Sequence, residues 1–410
     1  MKEELLRQYA DFAVRIGTNP QPSQTLIINA PVESAPFARM CVEAAYAAGA
    51  KNVVVRWNDD AVARQQMMHT ATEVLEDVKP SVERSLLDYL EDEGGACFLH
   101  IIAEDPDVYA GIDTAKIARV MKARSEHSKN YRKYTMNDLV QWSIVAVPGK
   151  AWANKVFPGA PDAEEKLWQA IFDVCRVRDG GDVVSAWKEH IAKMTAWRDH
   201  MNELQVDSLH LTSANGTDLT IGLADNARWE GAQSYTPEGY AFLANIPTEE
   251  VFTAPHRDRV DGVVHAVKPY VYNGTVIEGF WVRFEHGKVV EYHADKNEDV
   301  LGHLLDTDEG ARHIGEIALV PASSPINRKN ILFYNTLFDE NAACHIAFGA
   351  GYPGTVEGGT AMTKEQLLAL GVNDSLVHED IMVGAPDMDI TAATKDGRTV
   401  QIFKNGEWAF

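Results

Sequence analysis

The chain has 410 residues and a formal net charge of −22, with a sequence pI of about 5.0. That length predicts two domains, not one, and so acidic a surface repels phosphate backbones and argues against nucleic acid as a partner. The longest apolar runs, such as Ser143–Pro148, fall far short of the ~18 residues a membrane helix needs.

The N-terminal MKEELLRQYADFAV carries acids in its first turn and no unbroken apolar core. It reads as an amphipathic helix and not as a signal peptide. Strands are predicted at Thr25–Ala30, Lys51–Trp57, Ala96–Ala103 and Trp142–Val147. Between and after them, helices are predicted at Ala35–Ala50, Asp60–Leu75, Pro80–Glu91, Thr114–Glu126, Ala163–Arg176 and Asp182–Leu204. Strands separated by helical crossovers imply an α/β domain over residues 1–204, a mostly parallel sheet with helices on both faces.

Near Gln205 the pattern changes. Ser208–Leu223 alternates apolar and polar residues around Asn215-Gly216, a hairpin signal. Further strands are predicted at Val263–Val267, Val276–Glu285 and Lys288–His293, with a tight turn at His286-Gly287, and a last hairpin follows at Thr399–Trp408. Residues 205–410 therefore form a β-rich α+β domain. Four cysteines (Cys41, Cys97, Cys175, Cys344) form no C-x-x-C pair, and three of them sit in apolar runs. Thiolate zinc is disfavoured, and a reducing cytoplasm is the simplest setting.

Four segments of the second half carry candidate chemistry. In NIPTEEVFTAP two glutamates precede a β-branched run. Neighbours on an extended chain face opposite sides, so one of Glu249 and Glu250 reaches a given site; Glu250 is favoured over Glu249, although from this segment alone it reads more readily as an exposed strand-end acid. In GEIALVP, Glu316 is set against an apolar run, either wet at the strand's start or held by a cation. The stretch LFDENAACHIAFGAGYPG offers Asp339, Glu340, His345 and Tyr352. Asp339-Glu340-Asn341 reads as a helix start, which places His345 on the face of Asn341 and Glu340 off it; on such a helix His345 also fits simple core packing. Gly349, Gly351 and Gly354 spell G-x-G-x-x-G, but they follow a helical pattern and Pro353 interrupts the next helix, so a dinucleotide site is set aside. In HEDIMVG read as a strand, His378, Asp380 and Met382 share a face and Glu379 points away.

Taken together, Glu250, Glu316, Glu340, His345, His378 and Asp380 supply oxygen and nitrogen ligands without a thiolate, which suits Zn²⁺, Mn²⁺ or Co²⁺. Four carboxylates would balance two divalent ions, a two-metal hydrolytic arrangement. No G-x-S-x-G nucleophile elbow or G-x-x-x-x-G-K-[ST] phosphate loop occurs.

At these residues the sequence resembles the thermophilic metallo-aminopeptidases of the M29 family, the aminopeptidase T and aminopeptidase S group. The resemblance runs from YADFAVRIGTNPQPSQTLIINAP and AGAKNVVVRWND through NIPTEEVFTAP, GFWVRFEHGKVVEYHADKN, GEIALVP, DENAACHIAFGAGYP and HEDIMVG to IFKNGEWAF. It implies removal of N-terminal residues from peptides with a free N-terminus, through a metal-activated water. It implies metal ligands at Glu250, Glu316, His345, His378 and Asp380, with Glu316 as the bridge and Glu340 as a further acid. Tyr352 would stand beside the ions and donate to the oxyanion, while Glu250 or Glu316 moves the proton. The resemblance also implies a homodimer whose active sites face an enclosed space, the N-terminal domain giving dimer contacts and cavity wall. Cys344, where a small residue is expected, and the proline of APDMDI depart from the pattern without touching a proposed ligand. A two-metal dipeptidase or amidohydrolase, and a non-catalytic metal- or peptide-binding protein on the same fold, are the competing readings.

Overall fold

A computed structural model describes residues 3–103, 105–272 and 275–410; the first two residues of the predicted N-terminal helix lie outside them. The chain forms two compact units, Met1–Glu189 with Gln233–Pro247, and His190–Ala232 with Thr248–Phe410. The predicted boundary at 204/205 coincides with the end of the helix Val183–Leu204. The compact units part inside that helix, and 233–247 returns to the first unit because Asn245–Ile246 pairs in parallel with Trp142–Ala146.

The first unit is built on a five-stranded parallel sheet. Its lateral order is Asn245–Ile246, Trp142–Ala146, Ala96–Ile102, Thr25–Pro31, Asn52–Asn58. Runs such as Leu26-Ile27-Ile28 and Cys97-Phe98-Leu99 are wholly buried, as strands covered on both faces must be. Helices Glu3–Phe12, Ala35–Ala47, Asp60–His69, Pro80–Leu90, Thr114–His127 and Ala163–Val174 lie where helical spacing predicted them. The predicted helix Asp60–Leu75 is broken, with a second helix at Thr72–Glu76. Lys129–Met136 was not predicted: KNYRKYTM is short and mostly polar, and no residue of it is fully buried.

The second unit stacks two antiparallel sheets. The larger has eight strands, from Lys288–His293 at one edge to Glu407–Trp408 at the other. The smaller orders His378–Met382, His345–Gly349, Ile314–Leu319, Val251–Thr253 and Glu230–Gly231. Leu209, Ile221 and Phe284 of the larger sheet and Ile317, Ile346 and Ile381 of the smaller one belong to a single core; the rings of Phe284 and Phe348 stack across it, 6.3 Å between centroids. His286 and Gly287 both adopt positive φ (49° and 80°), which the tight turn between Trp281–Glu285 and Lys288–His293 requires.

Three local expectations are corrected. The strand predicted over Val276–Glu285 is two strands, Thr275–Ile277 and Trp281–Glu285, parted at Gly279 in a left-handed conformation (φ 61°). The hairpin at Asn215-Gly216 forms, but its pairing ends at Thr212 and Asp218, so the connection is a longer loop. The helix predicted from Asp339 through His345 does not exist. The helix Thr336–Asp339 gives way to a single 3₁₀ turn, Glu340–Ala342, and His345 opens the strand His345–Gly349.

Candidate metal centre

The smaller sheet of the second unit sorts its side chains by period two. Ile317 pairs with Ile346 and Ile346 with Ile381, and this face enters the apolar core. On the opposite face, register aligns Glu316 with Ala347 and Ala347 with Asp380, Ala318 with His345, and Gly349 with His378. Phe252 is in register with Ala318, which puts Glu250, two residues earlier, toward the same side. The alternation of GEIALVP and HEDIMVG thus places the ligating groups on one face and the anchors on the other.

Two clusters result, Glu250–Glu316–His345 and Glu316–His378–Asp380, each with its ligand atoms within 4.8 Å of one another. Glu316 belongs to both. Its Oε1 lies 3.6 Å from His345 Nε2 and its Oε2 3.9 Å from His378 Nε2. Glu250 Oε2 is 3.1 Å from His345 Nε2, and Asp380 Oδ1 is 3.6 Å from His378 Nε2. Glu316 and Asp380 are 4% and 7% exposed, so their charges are nearly out of water.

The imidazoles are oriented from behind. His345 Nδ1 faces the carbonyl of Ala343 at 3.2 Å, and His378 Nδ1 faces that of Ala350 at 2.7 Å. A carbonyl can only accept, so each Nδ1 carries a proton and each Nε2 is turned toward the acids. This is the arrangement that fixes a metal-ligating tautomer. Ala350 reaches His378 because Gly349 takes φ 99°; a Cβ there would lie 2.1 Å from the carbonyl of Val377.

Glu340, on the 3₁₀ turn, lies outside both clusters but feels them. Burial first, then Asp380 and Glu250, push its carboxyl well above the usual range. Burial likewise raises Glu316, with Glu250 and Asp380 adding to it against the pull of the two histidines. Burial opposes the His345 cation, but Glu250, Glu316 and Asp380 outweigh it and hold its pKa well above the ordinary value. The ring of Tyr352 lies tilted beside that of His378, centroids 4.7 Å apart. Burial, then Glu316 and Asp380, raise its phenol well above 10, so it is a donor at neutral pH.

Other members of the predicted stretch turn elsewhere. Asp339 accepts from the backbone N–H groups of Phe333 and Asn335 at 2.8 and 3.1 Å and shapes a loop. Glu249 faces His190 at 3.6 Å, and Glu379 accepts from the Tyr270 hydroxyl on the far side of its strand. Cys344 Sγ lies against the Val320 backbone. The three glycines do follow a strand, contrary to expectation, but a 3₁₀ turn, Pro353–Thr355, follows in place of a helix.

Asn341 carries a role that sequence reasoning missed. Its Oδ1 accepts the Glu249 N–H at 2.7 Å and its Nδ2 donates to the Leu337 carbonyl at 3.2 Å. It ties the Glu340 turn to the start of the Glu250 segment. Nothing in one asparagine after two acids signals that long-range bond.

The donor set fits divalent cations. Glu250 Oε2, Glu316 Oε2 and Asp380 Oδ1 are buried without a hydrogen-bond partner, and buried carboxylate oxygens need one or a cation. The ligands are nitrogen and oxygen, as zinc, manganese and cobalt sites allow.

The chain is similar to known proteins along its whole length. A profile of the thermophilic metalloprotease family M29 matches residues 2–408. The chain is 44% identical over 410 residues to Aminopeptidase 2 of Geobacillus stearothermophilus, covering 100% of this chain and 98% of that one. It is 44% identical over 407 residues to Aminopeptidase AmpS of Bacillus subtilis, covering 99% and 98%. The solved structure of wild-type AmpT from Thermus thermophilus superposes with a TM-score of 0.92 at 38% identity, over 100% of both chains.

Proposed function

The chain belongs to the M29 family of thermophilic metalloproteases, and we propose that it is an aminopeptidase working through two divalent cations bridged by Glu316. The observation that carries this reading is the shared position of Glu316, whose two oxygens turn to two different imidazoles at 3.6 and 3.9 Å. Glu250 and His345 complete one cation site, His378 and Asp380 the other, and Glu340 adds a carboxylate from the 3₁₀ turn. Zn²⁺, Co²⁺ and Mn²⁺ suit the donors.

Held by these residues, divalent cations would supply Lewis-acid chemistry, the acidification of a water and the polarisation of the scissile carbonyl. The protein's own groups do the rest. Tyr352, held protonated, donates to the oxyanion that develops on the substrate. Glu250 or Glu316 takes the proton and passes it to the leaving amine. The acidic face of the sheet attracts the free α-ammonium of a peptide, which confines cleavage to the first residue. The enzyme acts as a homodimer in the cytoplasm, with the N-terminal unit supplying dimer contacts. The resemblance supports the dimer, and four buried free cysteines are compatible with a reducing compartment. No helix among the described residues is long and apolar enough to cross a membrane.

The test is metal analysis beside activity. Chelation is expected to abolish hydrolysis of aminoacyl anilides, and Zn²⁺, Co²⁺ or Mn²⁺ to restore it at about two ions per chain. N-acetylated substrates are expected to resist. Equal cleavage of blocked and free substrates, or full activity and metal content in Glu316→Gln, would overturn the reading.

A further inference from the structure

A second site is built into the parallel sheet of the first unit. Asn29 is in register with Arg56 on one side and with His100 on the other, so the three side chains form a row on one face. Two residues earlier the same face is apolar: Val54, Ile27 and Phe98 pack in one cluster with Tyr131. The switch from apolar to polar occurs at the carboxyl ends of the strands. It lies where the chain, having crossed from Thr25–Pro31 to Asn52–Asn58, returns to place Ala96–Ile102 on the other side. That reversal is the position at which open α/β sheets bind ligands.

A cavity of about 350 Å³ opens at this row, lined also by Trp57, Asn58, Ile101 and Ile102. Its size suits a small metabolite. The polar groups are not equally satisfied. His100 Nδ1 meets Asn29 Nδ2 and His100 Nε2 meets the Tyr131 hydroxyl, each at 3.4 Å. Burial, then Arg56, pushes the His100 imidazole down to about 4, so it is neutral and Arg56 carries the charge of the row. Arg56 is half-buried and has neither an ion pair nor a hydrogen bond among the described residues. Five donors on a planar fork thus line a cavity without a partner among the described residues, in a chain of net charge −22.

We propose that this pocket binds a small organic monocarboxylate, the carboxylate on the Arg56 fork and a short apolar tail against Trp57, Ile101 and Ile102. The guanidinium fork matches a carboxylate with two parallel hydrogen bonds. One cation balances one negative charge, whereas a phosphate dianion would leave charge uncompensated against a strongly acidic protein. The hydrocarbon offered by Trp57, Ile101 and Ile102 among the polar lining residues favours a ligand with a short apolar part over a bare inorganic anion.

The test is calorimetric titration of sodium isovalerate into the metal-loaded full-length enzyme, compared with Arg56→Gln and Arg56→Lys. Isovaleramide and inorganic phosphate serve as contrasting probes. The expected result is a site that Arg56→Gln weakens by at least about tenfold, and Arg56→Lys by less, because the fork is lost in both and the charge in only one. Isovaleramide should not occupy it. Arg56→Gln should hydrolyse aminoacyl anilides at the wild-type rate, which also shows that it folds. Carboxylate bound at the metal centre is distinguished because chelation removes it and Arg56→Gln does not. The proposal is overturned if no Arg56-dependent binding occurs, if isovaleramide binds equally well, or if phosphate displaces isovalerate at the same or lower concentration.

Discussion

Ala347 stands in register with Glu316 on one neighbouring strand, and on its other side with Asp380. It is fully buried and carries only a methyl group between Glu316, common to both proposed cation sites, and Asp380, which belongs to one of them. The small side chain of Ala347 therefore leaves space for the ions between those two carboxylates. Ala347→Leu is expected to fill that space. Metal content should drop below one ion per chain and activity by about 100-fold or more, since misplacement on the ångström scale costs that much. Overpacking should cost the metal-free protein about 1–3 kcal/mol. Ile346→Val, on the opposite face in the core, should cost about 1 kcal/mol and leave metal content unchanged. Metal analysis with denaturant unfolding reads both effects.

Asn341 gives a second, independent handle. Its side chain bonds the Glu249 N–H and the Leu337 carbonyl in a position that is fully buried. Asn341→Ala would leave both backbone groups without these partners, at about 1–3 kcal/mol each at most. It would also loosen the segment that carries Glu250. Metal affinity is expected to fall about 10- to 100-fold, as when a group that orients ligands is lost. Asn341→Asp keeps the acceptor for Glu249 and should recover part of the loss. Competition with a metallochromic chelator measures it.

Tyr352 separates chemistry from metal holding. Its phenol is kept protonated by burial and by the neighbouring acids. Tyr352→Phe keeps the ring beside His378 and removes only the donor. The turnover number is expected to fall about 100- to 1000-fold, the range for one lost oxyanion donor. KM and metal content should stay within about twofold, since no ground-state contact is removed. Unchanged turnover would remove Tyr352 from the chemistry.

The contrast between what the sequence disclosed and what it hid follows from range. The sides taken by Glu250 and Glu249, and by His378 with Asp380 against Glu379, follow period two, which is a local rule. The parallel sheet was legible because its valine- and isoleucine-rich runs alternate with helical ones. His345 was misplaced onto a helix because Asp339-Glu340-Asn341 followed by alanines has the composition of a helix start. The chain does make one helical turn there, but Ser324 Oγ bonds the Asn341 carbonyl at 2.6 Å and Glu249 takes its side chain. These partners lie far away in the sequence and end the turn. The strand order that lines up Glu250, Glu316, His345 and His378 is likewise non-local. Only the long resemblance, not any spacing, made it readable.

His100 yields a pH prediction outside the metal centre. Its folded pKa is lowered from 6.5 to about 4, by burial and then by Arg56. Between those values the unfolded chain binds a proton that the folded chain does not. Stability therefore falls as pH drops through that window and is restored above about 6.5, with a limiting slope of about 1.4 kcal/mol per pH unit. Carboxylates elsewhere titrate over the same range, so the informative quantity is a difference. In His100→Gln the residue cannot take up a proton, and its pH slope should be shallower than that of the wild type. Hydrogen exchange along Ala96–Ile102 reads this locally, because opening that strand exposes His100 to water. Protection in the wild type should drop faster on acidification from pH 6.5 to 4 than in the variant. Parallel profiles would mean that His100 is protonated in the folded protein, and Arg56 would then not be the only cation of its row.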